Sequence, residues 1–326
     1  MKKRHLVFLS ASLFVITLSC KNASVKLAEK IGSAASGISN SDDAVQFRNE
    51  VIDVFNDVQS DVREWRNKYA EYIDLEKGPA ENLLKSNIQD YLWPFLDSDM
   101  GSLDRKLKPI AEKAAGSKDA LYQTSAAYIQ SIQKLGETMR TAREYYRDGK
   151  YKEDRLAKGK ELHPQVVKAF EVYFEAEKGL ETVLDKMEQE ELTALQGKAK
   201  GKYPVQYKAL SLKKTAKEML NAADFSAGVV DTATLRAAAV LFENDAKQLQ
   251  ELLDKLPNDP ALSTHKINVE SFLRQCGELL SATRKLNREL EAPHKDKYYR
   301  DQAREAFLNN YNSLTNYFGS MANLEF

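Results

Sequence analysis

Cysteine is nearly absent from this sequence: Cys20 and Cys276 are the only two among 326 residues. A disulfide scaffold is therefore excluded, and the fold must rest on its apolar core. Charge of one sign is missing as well, since 48 basic side chains face 48 acidic ones. Without a basic surplus there is nothing to neutralise a phosphate backbone, so nucleic acid is not an expected partner. Apolar and polar residues nowhere alternate with period two, which excludes strands as the main element. No apolar run reaches the roughly 20 residues of a membrane-spanning helix.

The longest apolar run, Leu6 to Leu18, follows Lys2, Lys3 and Arg4. A basic start and an apolar stretch of about 13 residues fit a secretory signal. The run ends at Thr17-Leu18-Ser19-Cys20 and resembles the lipobox of bacterial lipoproteins. In that family of signals the cysteine thiol is alkylated by diacylglycerol and the chain is cut before it. An ordinary cut near Ala23 would instead place Lys21 at a subsite that takes small residues. The expectation is a signal peptide over residues 1–19, a lipid on Cys20, and a flexible Ser/Ala/Gly-rich tether to residue 41. A tether of about 20 residues spans roughly 25 Å. Lys21 is not the Asp that retains many lipoproteins in the inner membrane of enteric bacteria. By that rule the expected location is the outer membrane, facing the periplasm.

Beyond the tether, apolar residues recur by alternating steps of four and three, which a helix presents as one stripe. Val51, Phe55, Val58, Val62, Trp65, Tyr69 and Tyr72 form the first seam, preceded by Ser41, Asp42 and Asp43 as candidate caps. Leu121, Ser125, Tyr128, Ile132, Leu135, Met139, Ala142 and Tyr146 form a second. Further seams run from Leu235 to Leu256, from Val269 to Leu290 and from Phe307 to Met321. Val166, Phe170, Tyr173, Leu180, Leu184 and Met187 mark a helix over about 155–195, with a kink or restart at His163-Pro164. Shorter helices are expected over Glu81–Leu96, Leu103–Ala115 and Val205–Ala223. Breakers stand at Gly78-Pro79, Gly101, Gly116, Gly149, Gly197 to Pro204, Gly228, Pro257 to Pro260 and Pro293. The expected fold is all-α: an elongated antiparallel helical bundle over residues 42–326, with a possible joint between two sub-bundles near 197–204.

Catalytic and metal signatures fail on inspection. The one Glu-x-x-His spacing, Glu291 to His294, contains Pro293 and loses helical register. His163, His265 and His294 each lie beside a proline or in an expected loop, where a structural or solvated histidine is the simpler reading. Cys276 falls between Phe272 and Leu279 on a seam, the place of a small core residue rather than a nucleophile. No nucleophile elbow and no phosphate loop are present. Neither a cofactor nor a metal is expected, and no catalytic residue is assigned.

Aromatic residues are plentiful: Tyr69, Tyr72, Tyr91 and Trp93 early, Tyr122 to Tyr151 centrally, Tyr298 to Tyr317 at the end. They either pack a thin core with their hydroxyls at its boundary or line a groove for a peptide, glycan or lipid fragment. The segment YYRDGKYKEDRLAKGKELH, residues 145 to 163, and the closing YNSLTNYF, residues 311 to 318, resemble the YiiG-like bacterial lipoproteins, a family of unknown function. That resemblance implies an all-helical, envelope-facing lipoprotein and brings no catalytic residues. Tyr145, Tyr146, Tyr151 and His163 are accordingly the candidate binding surface. The functional expectation is a non-enzymatic binding or scaffold protein. It is held to a membrane by lipid and meets an envelope protein or small ligand. The alternative is a carrier of a small molecule or lipid in a tyrosine-lined groove.

Overall fold

The computed structural model describes residues 42–86, 88, 96–223, 230–257, 259, 262–291 and 297–321. Cys20, the tether, Tyr91, Trp93, Gly228 and His294 lie outside the described residues. Nine α-helices stand among the described residues: α1 (Asp42–Tyr72), α2 (Leu96–Ala114), α3 (Ala120–Arg147), α4 (Lys150–Glu153), α5 (Ala157–Ala199), α6 (Pro204–Ala222), α7 (Thr232–Asp254), α8 (Ser263–Glu291) and α9 (Lys297–Met321). The protein is all-α, as the spacing of its apolar residues implied. No helix among the described residues is long and apolar enough to cross a membrane. The chain divides into two compact units, residues 43–188 and 189–326, so the division falls within α5. The stretch 197–204 forms the end of α5 and the turn into α6.

In the first unit, the expected seam of α1 is buried from Val51 through Tyr69, with Phe47 added one turn earlier. Helix α1 stops where Asp74 draws the backbone into a turn, its Oδ1 accepting from the N–H groups of Glu76 and Lys77 at 2.9 and 3.1 Å. On α3 all eight expected seam residues are buried, and Asp119 caps its start by accepting from Leu121 N–H at 2.8 Å. Phe47 stacks on Tyr122 at 4.0 Å between ring centroids. Helix α2 packs on α3 and runs antiparallel to α1, with Lys106 paired to Asp57 and Lys113 to Glu50.

Three expectations of detail are corrected. Gly101, read as a breaker, lies inside α2, as does Pro109. One glycine costs a helix only about 1 kcal/mol, which burial of Leu103, Leu107 and Ile110 on one stripe outweighs. Of the kink or restart expected at His163-Pro164, the restart does not occur: the helix is continuous from Ala157 to Ala199. Buried Leu162 and His163 on one side of the proline and Val166 on the other hold both flanks in place. Of the helix expected over Glu81–Leu96, the described residues at its start form a 3₁₀ helix, Glu81–Lys85, that ends at Ser86. Past it the chain is held extended at Ser86, whose carbonyl accepts the Tyr151 hydroxyl at 2.6 Å.

The second unit is a closed four-helix arrangement in which α6 meets α7, α7 meets α8, α8 meets α9, and α9 returns to α6. Ion pairs Arg236–Glu291 and Glu243–Arg284 set α7 and α8 antiparallel. The five expected seam residues of α9, Phe307, Tyr311, Leu314, Phe318 and Met321, are all buried, as are Val269, Phe272, Cys276, Leu279, Thr283 and Leu286 on α8. Cys276 is a core residue whose thiol burial pushes well above its ordinary pKa. His265, expected in a loop, lies in the first turn of α8.

The register of α7 can be tested by two substitutions two residues apart. Phe242 is fully buried, whereas Val240 is 58% exposed. Phe242→Ala should lower the unfolding free energy by about 3–5 kcal/mol. Val240→Ala should stay within about 0.5 kcal/mol of the parent. Urea unfolding followed by helical circular dichroism measures both, and equal losses would overturn this register.

Candidate functional site

The segment singled out in the sequence folds into a corner between α3 and α5. Helix α3 ends at Arg147, Asp148 and Gly149 make the turn, and α4 supplies one helical turn carrying Tyr151. Arg155 and Leu156 then take left-handed backbone angles, φ 52° and 70°, an unfavourable conformation for side chains with a Cβ. The Leu156 N–H bonds the Tyr151 carbonyl at 2.9 Å, and its side chain is buried, so packing holds the pair in place. Asp154 closes the corner. Its Oδ2 accepts from the Lys158 N–H at 2.9 Å, in the first turn of α5, and its Oδ1 accepts the Tyr145 hydroxyl at 2.7 Å.

Tyr145, Tyr146, Tyr151 and His163 are brought together here, but they form an interior rather than a surface. Their exposures are 5, 1, 0 and 9%. The rings of Tyr145 and Tyr146 meet edge-on at 4.9 Å, and Tyr146 meets Tyr151 at 5.8 Å. Gly159 of α5 is what admits them: a Cβ there would stand 2.8 Å from the Tyr146 hydroxyl and 3.1 Å from Tyr145 Cε1. His163 lies one turn further along α5. Its Nε2 is 3.2 Å from the Leu75 carbonyl and its Nδ1 is 2.9 Å from the Tyr69 hydroxyl. A carbonyl only accepts, so Nε2 carries the proton, and in the neutral ring Nδ1 then accepts from Tyr69. Gly78, at φ +76°, passes so close that a Cβ would meet His163 Cδ2 at 3.2 Å.

The electrostatics follow from this enclosure. Burial pushes the phenols of Tyr69, Tyr145 and Tyr146 well above their ordinary pKa, so each remains a neutral hydroxyl. Desolvation works against the charge on Asp154. Hydrogen bonds from the Lys158 N–H, the Tyr145 hydroxyl and the N–H groups of Leu156 and Ala157 outweigh it and hold the carboxyl below its usual range. Within this cluster the Tyr146 hydroxyl is the one buried without a hydrogen-bond partner among the described residues. The arrangement therefore locks a helical corner with its rings covered.

Residues 49–320 match the model of a family described as Protein of unknown function (DUF3829). The chain belongs to the DUF3829 family. No curated protein and no solved structure matches it. The matched span of this DUF3829 protein covers every helix described above except the first turns of α1 and the last residue of α9.

A second polar cluster in this DUF3829 protein escaped the sequence reading. On α5, Glu177 is buried and receives both ends of the Arg63 guanidinium from α1, at 3.1 and 3.2 Å. Arg63 also donates to the Gln59 carbonyl at 3.0 Å. The Tyr173 hydroxyl lies 3.3 Å from Glu177 and 3.1 Å from the Tyr128 hydroxyl of α3. Desolvation raises the Glu177 pKa, with the Arg63 charge working the other way. The signal was present: Val166, Phe170, Tyr173, Glu177, Leu180 and Leu184 keep the four-three step unbroken once a carboxylate is allowed on the seam. Elsewhere, a cleft of about 390 Å³ is lined by Gln250, Leu253, Asp254, Leu256, Lys266 and Glu270. It is mostly polar, unlike the apolar pockets that hold most small ligands.

Two predictions follow from the corner. On helix propensity alone Gly159→Ala would stabilise by about 1 kcal/mol, but overpacking against Tyr146 should make it destabilising by about 1–3 kcal/mol. Tyr146→Phe removes an unpartnered hydroxyl and should be neutral or stabilising. The double variant should recover part of the Gly159→Ala loss, and simple additivity of the two would refute the contact. The second prediction concerns pH. The Asp154 pKa is depressed in the folded state, so its contribution is present above the unfolded value of about 3.9 and is lost as pH falls through the folded value. Asp154→Asn should be less stable than the parent at neutral pH, with the difference closing in acid. A difference that persists undiminished at the acid end of a urea-unfolding series would exclude this role.

Proposed function

We propose that this chain is a lipoprotein of the bacterial cell envelope, of the YiiG-like kind within its family, anchored through a lipid on Cys20. Its bundle serves there as a non-enzymatic binding or spacing module. Two sequence features support the address: the basic start before the Leu6–Leu18 run, and Cys20 directly after Ser19. Lys21 favours the outer membrane and a body facing the periplasm.

The observation that carries the choice of role is the closure of the central cluster. Tyr69, Tyr145 and Tyr151 each bond a partner within the chain, as does His163, and Gly159 seals Tyr146 against α5. A carrier would need these rings open to a ligand, and all of them are covered. What the corner offers is rigidity, the property a docking or spacing module needs. Tests in intact cells separate the readings. Cross-linking followed by mass spectrometry should capture an envelope protein on the wild type and lose it in Cys20→Ser. An unacylated N-terminal peptide in the wild type would sink the anchor, and a stoichiometric small molecule in an organic extract would favour the carrier.

A further inference from the structure

The closing segment YNSLTNYF lies in the longest uncharged stretch of the chain, Ala306 to Leu324, in a sequence of which 29% is charged. Part of that stretch is the apolar seam of α9, already placed in the core. The rest is amide. Asn309, Asn310, Asn312 and Asn316 all stand within α9, four in eight residues. Asparagine is a poor helix former, because its short side chain competes for nearby backbone groups and favours caps and turns. Breaks of a local rule without a structural reason concentrate at functional positions.

One of the four serves the helix itself: Asn310 Nδ2 donates to the Ala306 carbonyl at 2.8 Å. Asn309, Asn312 and Asn316 make no hydrogen bond among the described residues, and neither does the Ser313 hydroxyl beside them. Asn309 and Asn316 are exposed, Asn312 and Ser313 half-buried. Gln302, Asn309 and Asn316 follow one another by seven residues and are all exposed. They therefore form one line along α9, about 10 Å from each to the next. At the upstream end stands Tyr299, 54% exposed, its ring edge-on to Tyr298. Glu305 lies between Gln302 and Asn309, and past it the face carries no charge.

We propose that this face of α9 binds an uncharged glycan chain. A primary amide sets one carbonyl acceptor beside two N–H donors. Adjacent hydroxyls on a sugar ring, each donor and acceptor, match that pair. An exposed tyrosine ring offers a flat apolar surface to the C–H face of a sugar while its hydroxyl stays in water. Other occupants fit worse. Sulfated or phosphorylated chains need cations, and the row has none. An apolar partner would cover the amides and leave them without hydrogen bonds. Gln302 to Asn316 spans about 20 Å, a length suited to several linked rings rather than to one sugar. Recognition of this kind does not depend on lipid attachment at Cys20.

The test uses the full chain carrying Cys20→Ser, so that no acyl group contributes. It is titrated calorimetrically with neutral hexasaccharides of β-1,4-linked glucose and of β-1,4-linked N-acetylglucosamine, and with dextran sulfate. The parent should bind a neutral hexasaccharide equally well at low and high salt, and should ignore dextran sulfate. The double variant N309A/N316A should bind about tenfold more weakly for the loss of two hydrogen-bonding amides. Its urea midpoint should rise, because alanine is the better helix former, so unfolding would not explain the loss. Tyr299→Ala should weaken binding as well. A parent that binds neither hexasaccharide overturns the proposal, as does a double variant that binds like the parent. A parent dimer that N309A/N316A dissociates would assign the face to a second copy of the chain and overturn it too.

Discussion

A helix whose apolar residues step by four and three has one face to hide, and hiding it requires another helix with the same need. Nearly everything in this protein depends on that mutual requirement. In the first unit α1, α3 and α5 each turn a stripe inward, and Phe55, Tyr128, Ile132 and Tyr173 are covered as a consequence. In the second, α6 to α9 close a ring of contacts around Phe242, Phe272, Leu279 and Phe307. Local preferences yield to this packing where they conflict. Gly101 sits inside a helix because the stripe that follows it is buried, and Pro164 because buried residues flank it on both sides.

Polar groups inside such a fold must find partners, because water is no longer available to them. The first unit answers in two ways. Near Glu177 it pairs a carboxylate with Arg63 and completes the pair with the Tyr173 and Tyr128 hydroxyls. At the α3–α5 corner it uses backbone carbonyls, those of Ser86 and Leu75, for the groups that α4 and α5 bring in. Tyr128, Tyr151 and Tyr173 of the first unit are accounted for in this way. A tyrosine fills a seam with its ring and reaches across to a neighbouring segment with its hydroxyl. The exception is Tyr146, whose hydroxyl is pressed against Gly159 instead of a hydrogen-bond partner.

In the role proposed, the exterior of such a bundle is what meets other molecules. The proposed anchor at Cys20 and the proposed glycan face of α9 both concern how such a body meets its surroundings. They rest on different physics, burial of acyl chains in one case and hydrogen bonds from uncharged amides in the other.

How much of this was legible in advance depends on range. Seams such as Phe307-Tyr311-Leu314-Phe318-Met321 could be read directly, because helical periodicity is a local property and burial follows from it. The all-α class and the core place of Cys276 were legible for the same reason, and the break at Gly149 from its residue type. Pairings distant in sequence were not. Tyr69 meets His163 across 94 positions, Arg63 meets Glu177 across 114, and Tyr151 reaches Ser86 across 65. No local pattern encodes which helix faces which, so Tyr145, Tyr146, Tyr151 and His163 read equally well as an open surface or a closed interior. The sequence by itself determined the helices and the stripe each must bury. Only the tertiary structure decided that the tyrosine-rich segment turns inward, because that choice depends on long-range contacts and on the absence of a single Cβ at Gly159.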